Sequence, residues 1–210
     1  MEKCNYRKDP HQDIDHVFRD LLPAHGMVER PAQVELSHQM LDTMLNGSIA
    51  LCDAGTGIGK TYAYLVAGVV FRRYRSRAGL PNQPLLISTS SIALQGAIIH
   101  DYLPFLSKVM MADGMLDSPL RAVLRKGKSH YVCDARLMKR LQTANLDRKN
   151  PLAKAALLSM RDHLDLDMAP HLSGYDRERI CVPPTCDCGK TECRYLCYLD
   201  VCASERYAIQ

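Results

Sequence analysis

Asp53-Ala54-Gly55-Thr56-Gly57-Ile58-Gly59-Lys60-Thr61 decides how the rest of this 210-residue chain is read. It matches the phosphate-loop pattern G-x-x-x-x-G-K-[ST], with Ala54 in the first glycine position and Gly59-Lys60-Thr61 completing it. Gly55 and Gly57 supply the backbone freedom that turns successive N–H groups inward. A helix starting at the loop's end adds further donors and a favourable dipole for phosphate. Lys60 then reaches the β and γ phosphates of ATP, and the Thr61 hydroxyl helps hold Mg²⁺. The competing reading is a glycine-rich turn with a chance Lys-Thr, which the flanking pattern disfavours. Kinases, transporters and motors all share such a loop, so it points to a nucleotide and not to one function.

Outward from the loop, residues 48–52 form a short apolar run read as a buried strand, and 61–77 read as a helix. Residues 78–84 are rich in turn formers, 85–89 make a second strand candidate, and 92–106 a helix. Upstream, Val34, Leu36, Met40, Leu41, Met44 and Leu45 recur at helical spacing. Pro31 suits the first turn of that helix and Asn46-Gly47 its end. Residues 14–22 suggest one more helix, closed by Pro23 and Gly26. Strand, loop, helix, strand, helix in this order predicts an α/β fold: a P-loop NTPase parallel sheet with helices packed on it.

The character changes past about residue 130. Residues 136–141 and 151–166 are helical in pattern, 170–174 break it, and no clear strand appears. Residues 1–125 are read as the N-terminal part of the P-loop domain, and 126–205 as a cysteine-rich insertion without an obvious core of its own. Residues 206–210 begin the return to the first domain.

Composition narrows the class. Apolar residues make up 47%, and the longest apolar run, 62–71, is far shorter than the roughly 20 residues of a membrane span. The first ten residues hold no apolar signal core, which predicts a cytoplasmic chain. The net charge of +4 is modest, but Arg72, Arg73, Arg75 and Arg77 form one basic stretch. Arg121, Arg125, Lys126, Lys128, Arg136, Lys139 and Arg140 form a second. Such stretches are either solvated surface or phosphate contacts to nucleic acid.

Nine cysteines in a reducing compartment favour metal binding or catalysis over disulfides. Cys133 lies upstream of Cys181, Cys186, Cys188, Cys193, Cys197 and Cys202. Four thiolates suit structural zinc, although the paired Cys-x-x-Cys knuckles usual for zinc are missing here. An iron–sulfur cluster also takes four thiolates and tolerates varied spacing, and the residues alone leave the two level. Cys4 and Cys52 read as small buried apolar residues.

Taken in order, these motifs resemble the DinG/XPD-like iron–sulfur DNA helicases of superfamily two, over most of residues 28–210. Glu29-Arg30-Pro31-Ala32-Gln33 is similar to that family's adenine-side motif, with Arg30 and Gln33 in the expected places. Residues 53–61 resemble its phosphate loop, and 87–95 the next helicase motif, which lies along the DNA-binding face. Residues 126–133 look like the lead-in to the first cluster ligand. The resemblance implies a [4Fe–4S] cluster on Cys133, Cys181, Cys186 and Cys193, with Cys188 the alternative to Cys186. It leaves Cys197 and Cys202 on a helix packing surface.

The resemblance further implies ATP-driven 5′ to 3′ translocation, with single-stranded and forked duplex DNA as partners. No Asp-Glu-Ala-His-like sequence occurs in the 210 residues, and they hold no second motor domain. The expectation is an N-terminal helicase portion that alone binds nucleotide weakly and does not unwind DNA, either a truncated gene product or the first piece of a split or mispredicted helicase, with a separate downstream fragment as a further partner. The alternative expectation is a non-motor module that binds single-stranded DNA or responds to redox state.

Overall fold

The computed structural model describes residues 9–81, 83–143, 151–186 and 193–208, with side chains up to residue 202. They divide into two compact units, one up to residue 122 and one from residue 123 onward. No helix among the described residues is long and apolar enough to cross a membrane.

The first unit is helical. Helix α1, Pro10–His16, is capped by Asp9, whose carboxylate accepts from the His11 N–H at 2.9 Å. It continues through a wide π-helical turn, Val17–Leu21, into Leu22–Ala24. Helix α2, Pro31–Asn46, carries proline in its first turn and stops at Gly47, whose φ of 61° only glycine adopts without strain. Helix α3, Lys60–Arg77, starts straight out of the phosphate loop. Helix α4, Ile92–Ala97, is capped by the Ser91 hydroxyl and runs through a second π turn, Ile98–Tyr102, into α5, Leu103–Ala112. The core is built from one face of each helix, with Ile14, Phe18, Val34, Leu41, Leu65, Val66, Val70, Leu106 and Met110 all buried. Three further contacts bind helices together: Ser37 Oγ donates to Ala63 O at 3.0 Å, and buried Asp13 meets Arg77 at 3.1 Å and Arg73 at 3.7 Å.

The two predicted strands do not form a ladder. Residues 48–52 and 85–89 are without regular structure, and among the described residues β pairing is limited to two isolated bridges in the second unit. Ile49, Leu51 and Leu86 are 93%, 99% and 90% exposed, so the expected buried strand at 48–52 is corrected to an exposed extended segment. The physical reason is non-local: a strand is stable only when a neighbour takes its N–H and C=O groups, and no described segment lies alongside to do so. Within residues 85–89 successive leucine and isoleucine side chains face different ways. Leu85 sits against Gly68 of α3, where an added Cβ would come within 3.3 Å of the leucine Cγ. Ile87 packs on the core while Leu86 points out. Cys52 is exposed, not buried, for the same reason, and Cys4 lies outside the described residues.

The second unit has the core that its sequence does not advertise. Val132, Leu137, Leu157, Met160, Leu166 and Ile180 are buried together. Its helices are α6, Asp134–Thr143; α7, Pro151–Ser159; α8, Gly174–Ile180; and α9, Arg194–Ala208. Helix α7 is shorter than the pattern over 151–166 predicts. The chain turns after Met160, and a 3₁₀ turn at Leu166–Met168 follows, capped by Asp165. A second buried cluster, Tyr131, Cys133, Val182 and Tyr195, draws in Cys193 and Tyr198.

Candidate nucleotide loop and cysteine module

In the first unit, residues 54–59 loop between the extended segment and α3, with Gly57 at φ 82° and Gly59 at φ 88°. Both values lie in the left-handed region that favours glycine. Helix α2 holds the loop from one side. Gln33, 4% exposed, donates its amide Nε2 to Gly59 O at 2.6 Å, and Arg30 donates to Gly57 O. An added Cβ at Gly59 would strike the Gln33 amide, with the Gln33 Cδ only 2.8 Å away, so Gln33 fits because residue 59 has no side chain. Arg30, Gln33 and the loop are thus brought together.

Lys60 turns back over the loop, its Nζ donating to Ala54 O at 2.7 Å and Gly55 O at 2.8 Å. The ammonium therefore stands at the mouth of the loop. Thr61 follows in the first turn of α3, beside Tyr64, whose phenol is pushed above its usual range by burial. Thr56 and Ile58 complete the loop, Thr56 exposed and Ile58 half-buried. The geometry offers one ammonium, loop N–H groups and a helix N-terminus in one place, which is a donor set for a phosphate.

In the second unit the cysteines are gathered by backbone pairing and by charge. Val132 and Cys181 form an antiparallel bridge, and the Cys133 N–H donates to Ile180 O at 2.8 Å. Asp134 and Arg194, the residues just after Cys133 and Cys193, are joined by Arg194 Nε to Asp134 Oδ1 at 2.7 Å. Arg136 donates to Cys181 O at 2.8 Å, with its guanidinium 3.9 Å from the Cys181 sulfur. Lys128 donates to Pro184 O at 2.6 Å and so holds the strand of chain leading to Cys186. Cys133 is buried, Cys181 and Cys193 half-buried, and Cys186 exposed. Cys52, Cys133, Cys181, Cys186, Cys193 and Cys202 are in no disulfide. Among the described residues no three of Cys, His, Asp or Glu converge closely enough to hold a metal, and Cys188 lies outside them. Cys202 is buried as a packing residue, whereas Cys197 is exposed.

Sequence reasoning missed Asp134, Arg136 and Arg194 as the groups that position the cysteines. Their signal was adjacency: each lies within three residues of Cys133 or Cys193.

The chain is 30% identical over 144 residues to the "3'-5' exonuclease DinG" of Bacillus subtilis, which is 69% of this chain and 14% of that protein. It is 30% identical over 129 residues to the "ATP-dependent DNA helicase YoaA" of Haemophilus influenzae, 61% of this chain and 18% of that one. With the "ATP-dependent DNA helicase DinG" of Photobacterium profundum the identity is 35% over 85 residues, 40% of this chain and 10% of the relative. The chain is related to the DinG-like helicases. It spans less than a fifth of the length of these DinG and YoaA relatives. No family model and no solved structure matches it.

Proposed function

We propose that this chain is the nucleotide-binding and cysteine-bearing portion of an ATP-dependent DNA helicase of the DinG type. The observation that carries the reading is the closure of Arg30 and Gln33 onto the carbonyls of Gly57 and Gly59, in a chain related to proteins named as DNA helicases. In this reading residues 48–52 and 85–89 belong to a RecA-like parallel sheet, and their exposed Ile49, Leu51 and Leu86 are its unpaired core.

Lys60 exchanges its two carbonyl partners for the β and γ phosphates of ATP, Thr61 helps hold Mg²⁺, and residues 54–59 wrap the phosphates with N–H groups. Arg30 and Gln33 fix the loop and face the adenine side. Hydrolysis also needs an acidic group to orient water. No Asp-Glu-Ala-His-like sequence lies within the 210 residues, so hydrolysis, 5′ to 3′ translocation and strand separation are proposed for the whole helicase, and nucleotide binding for this chain.

The thiolate donor set, the backbone pairing of the Cys133 and Cys181 segments and the Asp134–Arg194 ion pair beside Cys193 support the reading of a [4Fe–4S] cluster held by Cys133, Cys181, Cys186 and Cys193. Such a cluster would supply a cross-link whose binding free energy is folding free energy of the module. In this reading the exposed basic residues Arg125 and Lys139 provide phosphate contacts for single-stranded DNA.

The test is iron, acid-labile sulfide and zinc content of the anaerobically purified chain, with titration of a fluorescent ATP analogue. Iron and sulfide near four each per chain, the stoichiometry of a [4Fe–4S] cluster, and analogue binding lost in Lys60→Ala support the reading. Zinc alone, or binding indifferent to Lys60→Ala, overturns its respective half.

A further inference from the structure

In the second unit, helix α8 presents an aromatic ring to solvent beside two arginines. Tyr175, in the first turn of Gly174–Ile180, is 57% exposed. It belongs to neither of the two buried clusters of its unit, so packing does not account for it. Its charged neighbours lie over the ring, the Arg179 guanidinium 4.4 Å from the centroid and that of Arg140, on α6, at 5.3 Å. The two arginines are held differently. Arg140 is tied down, its Nε donating to Asp176 Oδ1 at 2.6 Å. Asp176 is buried and held in turn by the Ser173 hydroxyl, which donates to its Oδ2 at 2.7 Å. Arg179 is exposed and has no acidic partner among the described residues.

We propose that Tyr175, with Arg179 and Arg140 beside it, is a stacking platform for one base of single-stranded DNA. A clasp between α6 and α8 needs only Arg140 over the ring. It leaves unexplained both the exposed ring and the charge of Arg179, which no described carboxylate neutralises. A nucleotide uses both. Its base stacks on the ring or on a guanidinium plane, and its phosphate takes the free arginine in a charge-assisted bond. Tyrosine has two side-chain torsions to fix, and Arg140, anchored on Asp176, stands against the ring before a base arrives, so ordering costs little. Every base has a π face, so such a platform is tolerant of sequence, which suits a protein that moves along a strand. The choice of DNA rests on the helicase reading above; the platform adds a base contact to the phosphate contacts of that reading.

The experiment is fluorescence anisotropy of a labelled oligothymidylate titrated with the full chain, repeated with an abasic strand of equal length that keeps every phosphate. Circular dichroism checks the fold of each variant. Tyr175→Ala weakens binding to oligothymidylate by about 5- to 150-fold, the range of one base–aromatic stack, and leaves abasic binding unchanged. Tyr175→Phe keeps the wild-type affinity for both. Arg179→Gln weakens both strands and reduces the slope of log K against log salt by about 0.7. The chain has no tryptophan, so Tyr175→Trp carries its sole indole, which oligothymidylate quenches and the abasic strand does not. That indole decides if Tyr175→Ala fails to fold, and an unquenched signal overturns the inference. Equal loss on the two strands in Tyr175→Ala, or no loss on either, reduces the ring to a clasp between helices and overturns the inference while the DNA reading stands. A wild-type chain that binds neither strand overturns the DNA contacts of this chain and the platform with them.

Discussion

Replacing Gly59 by alanine tests how the phosphate loop is held. At φ 88° the backbone of residue 59 is in the left-handed region, where a Cβ costs about 1–2 kcal/mol. The new methyl also runs into the Gln33 amide, whose Cδ would be 2.8 Å away. Gln33 must then give up its hydrogen bond to Gly59 O, a loss of about 0.5–1.5 kcal/mol for a buried pair. The sum is about 2–3 kcal/mol, to be read as the free energy of urea unfolding by circular dichroism. Gly57→Ala is the control. Its φ of 82° carries the same backbone penalty, but nothing lies within 4 Å of its added Cβ, so it should cost about 1–2 kcal/mol. In Gln33→Ala the obstacle is gone, and Gly59→Ala introduced there should cost about 1 kcal/mol less than in the wild type. Equal effects at Gly57 and Gly59, or strict additivity with Gln33→Ala, would refute the claim that α2 holds the loop through Gln33.

Asp13→Ala removes a buried carboxylate from Arg73 and Arg77, where Arg73 is only 10% exposed, and should cost about 3 kcal/mol; a loss under about 1 kcal/mol contradicts the burial argument. Arg77→Ala, at a partner a third exposed, should cost about 1 kcal/mol or less in the same urea assay. In the second unit, burial pushes Asp167 up, but hydrogen bonds and charge from Lys126 and Arg177 outweigh it and hold the carboxyl at about 2, below its ordinary 3.8. A lowered carboxylate stabilises the fold above its unfolded value and loses that contribution as pH falls through the folded one, so acid titration between pH 4 and 2 should cost the wild type about 2 kcal/mol that Asp167→Asn does not lose. For His16, burial opposes the charged ring, but hydrogen bonds to Asp20 at 2.7 Å and Asp113 at 3.1 Å raise it above 6.5. Its contribution is complete below pH 6.5 and disappears as pH rises through the raised value, so thermal melts should fall over that window in the wild type and stay flat in His16→Gln.

The helices and the loop were legible because their signals are local. Pro31, the spacing of Val34 to Leu45 and Gly47 all act within a few residues, and α2 lies at Pro31–Asn46. The phosphate loop and its opening into α3 follow from residues 54–61 alone. What the residues did not disclose depends on distant partners. Residues 48–52 look like a strand interior, yet the pairing that would bury Ile49 and Leu51 is not a property of that segment. The core of the second unit escaped notice because Val132, Leu157, Leu166 and Ile180 come from four separate stretches with no shared period. The bond between Asp134 and Arg194 spans sixty residues.

If the loop takes a nucleotide as proposed, the folded-back Lys60 makes it selective before any ligand arrives. Its ammonium already has two carbonyl partners, so a newcomer wins it only by offering more than two neutral oxygens can. A nucleoside without phosphates has nothing to bid for that charge. A single phosphate brings one anionic group, and a polyphosphate brings oxygens from two neighbouring groups to the same ammonium, with charge-assisted bonds roughly twice as strong as the neutral ones they displace. The loop's own backbone therefore acts as a resident competitor, and discrimination by phosphate count is set by an exchange inside the protein as much as by contacts to the ligand.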